Sequence, residues 1–415
     1  MPEPSNYTVL RKLDNRLFAI NLLFGTVDEL DEDVFFSLMT SDLVGLPLDI
    51  LAELSERHHI QNDRDQQLHI AAGLLRDASC AQFFIPLTNS CNLACPYCFQ
   101  GSHVGSTKRI SSEAIEAVFS AISDIVDHKR LNKRDCEVVL YGGEPLLPDN
   151  MENVESVLQA SCRAGIPAAI ITNGTTIETF LKLLKAYSDQ ISNIIVTLDG
   201  DQSTHDLRRV SCNGRPTYEL ICRGIEALRR NNLPCTIRIN LDSDLMCRLQ
   251  CGNINLPEGR REIHRVTGVS DEMTPSLRSL LSLCLSGACS IDDMGENPVI
   301  ALYSLLNPGS AFSPLLDNCP EDSIYFFSLD GRTICSCNES DGSTLVVGSY
   351  RPNLHLESGR NGCRPSAACK SCPVYPVCGG GCRKTTPALL DNGQCKLYAE
   401  IIDMIDCYLE YMTGK

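Results

Sequence analysis

The chain has 415 residues, 43% of them hydrophobic and 21% charged, which excludes a disordered, collagen-like or fibrous polymer and gives length for two or three domains. Its 36 basic and 52 acidic residues leave a formal charge of −16, and no basic run offsets that field, so nucleic acid is excluded as an expected partner. No apolar run approaches the ~18 residues of a membrane span, and residues 1–13 lack the charged and apolar regions of a signal peptide. The expectation is a cytoplasmic protein with no membrane partner. The 23 cysteines are too many for chance and sit in too large a chain for a secreted disulfide scaffold, so they point to metal in a reducing compartment.

In chain order, residues 1–80 carry no cysteine before Cys80. Alternating apolar residues in 7–13 and 16–24 predict two strands around the turn Asp14-Asn15. Amphipathic helices follow at 32–39 and 47–59, with Pro47 at a first helical position, and 61–67 reads as a loose polar stretch. This is a small α+β domain. From 83 the rhythm becomes strand (83–89), helix (112–128), strand (136–144), helix (151–165), strand (168–174), helix (176–190), strand (191–200), helix (218–232), strand (236–242). Such alternation predicts βαβ units and a parallel sheet, open or curled into a barrel. Residues 243–300 show no clear pattern. The tail from about 300 reads as short strands and loops closed by a helix at 397–412.

Cys91, Cys95 and Cys98 form C-x3-C-x2-C on a loop directly after a strand. Three thiolates on so short a loop can hold three irons of a [4Fe–4S] cluster and leave the fourth open. The competing zinc site needs a fourth protein ligand, and the nearest candidate is His103.

The stretch PLTNSCNLACPYCF (86–99) resembles the signature loop of radical S-adenosylmethionine (SAM) enzymes, with Tyr97 in the aromatic position before the last cysteine. YGGEP (141–145) is similar to that family's GGEP turn, TNG (172–174) to another strand end, and VTLDGDQSTHDLRR (196–209) to a later strand-and-turn segment. The resemblance implies that Gly142, Gly143 and Glu144 meet the amino group of SAM, and that Thr197 and Arg209 hold its carboxylate. It also implies a partial (β/α)6 barrel over 83–285. Cleavage of SAM beside the reduced cluster would yield a 5′-deoxyadenosyl radical that abstracts hydrogen from carbon, the protein binding, orienting and excluding solvent.

Cys369, Cys372, Cys378 and Cys382 read C-x2-C-x5-C-x3-C, followed by Cys395, and resemble the signature of the SPASM domain, which carries two auxiliary [4Fe–4S] clusters. The resemblance implies one cluster on Cys369, Cys372, Cys378 and Cys395. It implies a second on Cys382, Cys319 and a cysteine of the strand after Gly331, where Cys335 and Cys337 are both open and Cys337 is favoured. The fourth ligand of that second cluster is unassigned, with Cys284, Cys289 and Cys363 as candidates or the position left to substrate. A zinc ribbon is the competing reading of the tail. Most remaining cysteines, among them Cys136, Cys162, Cys222, Cys235 and Cys407, lie in apolar or helical contexts and read as small buried hydrophobes.

SPASM enzymes mostly modify peptides. In sulfatase-maturating enzymes, an aspartate base directly follows the strand's ligand cysteine; here Ser336 or Asn338 stands there, and neither accepts a proton as a carboxylate does. The 1–80 segment is similar in pattern to the winged-helix-like domain that binds leader peptides in maturases of ribosomally made peptides. The expected organisation is a leader-recognition domain (1–80), a radical SAM barrel (83–285) and a SPASM domain (300–415). The expected activity is cross-linking of a precursor peptide through a thioether or carbon–carbon bond, with a flavodoxin- or ferredoxin-type reductant. The alternatives are a formylglycine-forming sulfatase maturase and an iron–sulfur or zinc protein without turnover.

Overall fold

The computed structural model describes residues 2–62, 66–67, 69–70, 81–98, 107–254, 257–266, 273–295, 297–307, 323–329, 333–335, 346–351, 353–356, 369, 371–380 and 395–414. The chain divides into two compact units, one built from 1–76, 276–319 and 363–415, the other from 77–275 and 320–362. The expected segments 1–80, 83–285 and 300–415 are thus regrouped. The front shares a unit with most of the tail, residues 276–285 join that unit, and 320–362 join the barrel.

The first unit opens with β1 (Glu3–Pro4), followed by the antiparallel meander β2 (Thr8–Leu13), β3 (Arg16–Asn21) and β4 (Thr26–Glu29), while β5 (Ile60–Gln61) returns to pair with β1. The expected first hairpin turns at Asp14, which adopts φ 52°. The helices Glu32–Thr40 and Leu48–Glu56 bury Leu38 and Leu54 against Ala19 and Ile60. Pro47 stands one place earlier than expected, capping the second helix, where its missing N–H costs nothing. Beneath the sheet, His59 Nε2 donates to Asp28 Oδ2 at 2.7 Å, and Arg57 Nε donates to the same carboxylate at 2.9 Å. Burial disfavours the charge of Asp28, but these two partners outweigh it and hold its pKa below the usual aspartate range.

The helix Leu277–Leu285 belongs to this unit because its apolar face, Leu277, Leu280, Leu281 and Leu283, is buried while Arg278 bridges to Asp403 (3.0 Å) and Glu410 on the final helix, Lys396–Met412. The same final helix receives Arg11 of β2, whose guanidinium forks onto Asp406, Nε to Oδ1 at 2.7 Å. Tyr408 on that helix donates its hydroxyl to the Leu306 carbonyl, at the end of helix Asn297–Leu306.

The second unit is one sheet. Strands β6 (Gln82–Thr88), β7 (Glu137–Gly142), β8 (Ala168–Thr172), β9 (Ile191–Thr197), β10 (Cys235–Leu241) and β11 (Arg261–Arg265) follow one another in space as in sequence, and each adjacent pair is parallel. Helices Ser112–Lys129, Met151–Ala164, Ile177–Ala186 and Tyr218–Arg230 connect them, as the βαβ reading expects. The fold is α/β, a partial barrel of parallel strands. A seventh parallel strand was not anticipated: β12 (Ile324–Phe327) pairs with the other side of β6 and carries on to the antiparallel β13 (Thr333–Cys335), β14 (Val346–Ser349) and β15 (His355–Leu356). It covers an edge that β6 would otherwise expose, and Tyr325 stacks on Phe83 at 5.5 Å between centroids.

Register fixes which side chains share a face. Val196 pairs with Ile237 and meets the helix residue Ile221 beside Gly174, so these residues face the helices. The opposite, concave face carries the aromatic cluster of Phe84, Tyr141 and Phe326 near one end, and Thr197 and Arg238 near the other. Among the described residues, no helix is long and apolar enough to cross a membrane.

Asp28→Asn should destabilise the protein by about 1–3 kcal/mol, since buried His59 loses its charged acceptor. The native pKa of Asp28 is lowered, so its contribution is complete above the unfolded value near 3.9 and fades as pH falls through the native one. Denaturant melts of wild type and variant, compared at pH 7 and in acid, should converge at the lower pH.

Candidate active site

The carboxyl ends of β6 to β10 gather a buried polar centre: Glu144, Thr172, Asn173, Thr197, Asp199, His205 and Arg209 are each less than a tenth exposed. It begins with two glycines. Gly142 holds φ +129°, and a Cβ on it would lie 2.3 Å from the Thr88 carbonyl oxygen; a Cβ on Gly143 would lie 2.2 Å from that of Ser90. No side chain fits, so the end of β7 lies directly against the start of the cysteine loop. Gly143 N–H donates to Thr88 O and Glu144 N–H to Ser90 O, both at 2.8 Å.

Glu144 then turns inward. Its Oε1 accepts from Leu146 N (2.9 Å) and Thr172 Oγ1 (2.6 Å), and its Oε2 from Asn173 N (2.6 Å). Burial outweighs these donors and raises its pKa above the usual glutamate range. The two N–H groups of the GGEP turn are therefore committed, and the remaining acceptor capacity of Oε2 is what Glu144 can offer an ammonium group. Asn173 passes the order on: its Nδ2 donates to Asn92 Oδ1 (2.8 Å) and lies 3.7 Å from Cys91 Sγ. Asn92 donates in turn to Thr175 Oγ1 (2.8 Å).

The far side of the loop is held by the segment after β9. Ala94 N–H donates to Val210 O at 2.8 Å, and Cys212 N–H to Asn92 O at 2.9 Å. Tyr97 donates its hydroxyl to Asp199 and accepts from Arg209 Nη1 at 2.8 Å, with the Arg208 guanidinium 5.0 Å above its ring. His205 is buried, and its pKa is pushed down to about 4, so it is neutral. Its Nδ1 accepts from Asp199 N (3.1 Å), which leaves Nε2–H to face Thr217 Oγ1 (3.2 Å).

The three loop cysteines lie along one electrostatic path, Cys95 within reach of both Cys91 and Cys98. Burial, aided by the charge of Glu144, pushes the free Cys91 thiol up to about 12. Among the described residues, no three His, Cys, Asp or Glu side chains converge tightly enough for a single metal ion. A cuboidal cluster spaces its thiolates more widely, and the neighbouring Arg209 has the matching defect: its Nε is buried and has no hydrogen-bond partner. An anion such as an amino-acid carboxylate would complete it. Thr197, also buried, ends β9 opposite Arg238.

Residues 85–242 match the radical SAM superfamily. That stretch is a radical SAM domain. Its cofactors are SAM and one [4Fe–4S] cluster, which together supply a carbon radical, and the protein is an enzyme of radical chemistry. The cysteine-type anaerobic sulfatase-maturating enzyme of Clostridium perfringens is 22% identical over 371 residues, 77% of this chain and 94% of that enzyme. A radical SAM cyclopropyl synthase of Paramaledivibacter caminithermalis is 26% identical over 162 residues, 35% of this chain and 32% of that one. The solved structure of native anSMEcpe with bound AdoMet superposes with a TM-score of 0.60 at 17% identity, covering 80% of this chain and 98% of that one; a second was solved with AdoMet and a peptide, at 16% identity and the same coverage and score.

The first unit holds Cys369, Cys372, Cys378 and Cys395. Cys372 interacts electrostatically with Cys369 and Cys395, and Cys378 with all three. Backbone N–H groups aim at this group, Gly380 N lying 3.3 Å from Cys378 Sγ, and burial pushes the free Cys378 thiol up to about 12. The Sγ atoms of Cys284 and Cys289 are 3.5 Å apart and buried. Cys319, Cys337, Cys363 and Cys382 lie outside the described residues; Cys335 ends β13, its side chain likewise outside. Sequence reasoning left Asn92, Asn173, Thr175, Asp199 and His205 unassigned. The TNG turn held the only signal for Asn173, since an amide after a buried strand must find partners.

Gly143→Ala should displace the cysteine loop, costing about 1–3 kcal/mol by overpacking and lowering the iron bound after anaerobic reconstitution. Iron analysis beside a thermal melt checks it; wild-type iron content at unchanged melting temperature would refute the close-contact account.

Proposed function

We propose that this enzyme is a peptide maturase, installing a thioether or carbon–carbon cross-link in a ribosomally made precursor. In this reading Cys91, Cys95 and Cys98 ligate the radical cluster, and Tyr97, Gly142, Gly143, Glu144, Thr197 and Arg209 frame SAM. The observation that carries the reading is the convergence of Cys369, Cys372, Cys378 and Cys395, which supports an auxiliary cluster to receive the electron released as the product forms. Cys382, Cys319 and Cys335 or Cys337 are proposed for a second auxiliary cluster, with Cys284, Cys289 or Cys363 as its remaining ligand or that position left to substrate. A flavodoxin- or ferredoxin-type protein would reduce the radical cluster.

Residues 1–80 are proposed to bind the leader by strand addition. The β2 side of the meander already carries the Arg11–Asp406 pair, so β4 is the favoured edge. Sulfatase maturation is the second reading, favoured by the long match to the Clostridium enzyme.

Reconstituted enzyme should hold about twelve irons if all three clusters form. Replacing Cys91, Cys95 and Cys98 by Ala should abolish 5′-deoxyadenosine formation under dithionite, whereas replacing Cys372 and Cys378 should spare some SAM cleavage and stop peptide modification. Deoxyadenosine from the triple variant would refute the ligand assignment. Incubation with any short precursor peptide found encoded beside the gene and, separately, with a cysteine-bearing sulfatase peptide decides between the two readings by product mass.

The leader itself offers a separate test, because the front packs with the final helix and truncation would disturb both. A proline in the leader's docking stretch should weaken its calorimetric binding at least ~10-fold by removing a ladder N–H. Unchanged affinity would mean that the front does not bind by strand addition.

A further inference from the structure

The concave face of the barrel is uneven. Over β6, β7, β8 and β12 it is filled by Phe84, Tyr141, Phe326 and Ile171 packing on one another, with rings 4.3 Å apart between Phe84 and Phe326. Over β10 and β11 it carries three charged or titratable side chains instead. Arg238 pairs with Thr197 on one side and Glu262 on the other, and Glu262 and His264 are two residues apart on β11, so all three share Thr197's face.

They are locked together through one atom. Arg238 donates to Glu262 Oε1 from Nη2 (2.7 Å) and Nε (3.2 Å), and His264 Nε2 donates to the same oxygen. No described residue donates to Oε2. The side chains keep 25–30% of their surface, so this oxygen belongs to a half-open polar wall. Among the described strands of the sheet, β11 is the terminal one at this end.

We propose that Glu262 Oε2, held by Arg238 and His264, is a substrate-binding acceptor that takes a hydrogen bond from a neutral donor, a backbone N–H or a hydroxyl, of the peptide entering beside β11. The inference rests on the peptide reading above. Burial opposes the charge of Glu262, but His264 and Arg238 overcome it and hold its pKa down to about 2. The carboxylate is thus ionised at any working pH and too weak a base to take a proton from substrate, which makes its role recognition. Its charge makes the accepted bond a strong one. A neutral donor suits it better than a cation, since Arg238 already neutralises the pair.

The test compares wild type with Glu262→Gln, which keeps the shape and removes the charge. The probes are a cysteine-bearing sulfatase peptide and any short precursor peptide found encoded beside the gene, with binding read by calorimetry on the reconstituted holoenzyme. Affinity for the bound peptide should fall at least ~10-fold, while SAM affinity and peptide-free SAM cleavage stay within about twofold of wild type. Unchanged peptide affinity overturns the subsite alone. A fall in SAM affinity instead assigns the donor to the cofactor and also overturns it. Wild type that cleaves SAM yet binds neither peptide overturns the peptide reading, and the subsite with it. Should Glu262→Gln fail to fold, Glu262→Asp keeps the negative charge, shortens its reach to the peptide and carries the same expectation.

Discussion

A single buried carboxylate organises the catalytic end of the barrel. Glu144 links three neighbouring strand ends: its backbone N–H reaches the loop after β6, it terminates β7, and its side chain gathers the first turn after β8. Removing it would leave the Thr172 hydroxyl hydrogen and the N–H groups of Leu146 and Asn173 without their acceptor inside a buried site, where each unpaired group costs about 1–3 kcal/mol. The cysteine loop inherits its position from this anchor through Asn173 and Asn92. The glycines before it do the complementary work, since the anchor is useful only where two backbones can touch.

Much of this was legible in the sequence, for identifiable reasons. Strands β6 to β10 are apolar runs separated by amphipathic helices, so their periodicity announced them. β11 is not legible in the sequence because Arg261–Arg265 holds one apolar residue, Ile263, which the sheet buries on one face while Glu262 and His264 line the other. β12 was read as part of a separate tail, because pairing between residues more than two hundred positions apart leaves no local trace. The cysteine spacings named the two thiol clusters. They could not name the amides and the neutral histidine that hold the loops, since one asparagine looks like another until its partners are known.

The radical site also separates two tasks that a carboxylate or cation can perform. Asp199 and Arg209, nearly sealed from solvent, fix Tyr97 and leave one guanidinium nitrogen for an anion. Arg238 and Glu262 instead pair directly with each other and stay partly open. Burial alone distinguishes a bolt from a handle here.

The first unit is discontinuous along the chain, and this bears on how the protein is made. Arg11 and Asp406 are separated by 395 residues, yet they meet across β2 and the final helix. The segment 77–275, which builds most of the second unit, lies between them in the chain. Joining them is a long-range closure, and closures of this length slow folding. Slow closure is the kinetic cost of building one core from segments so far apart in the chain.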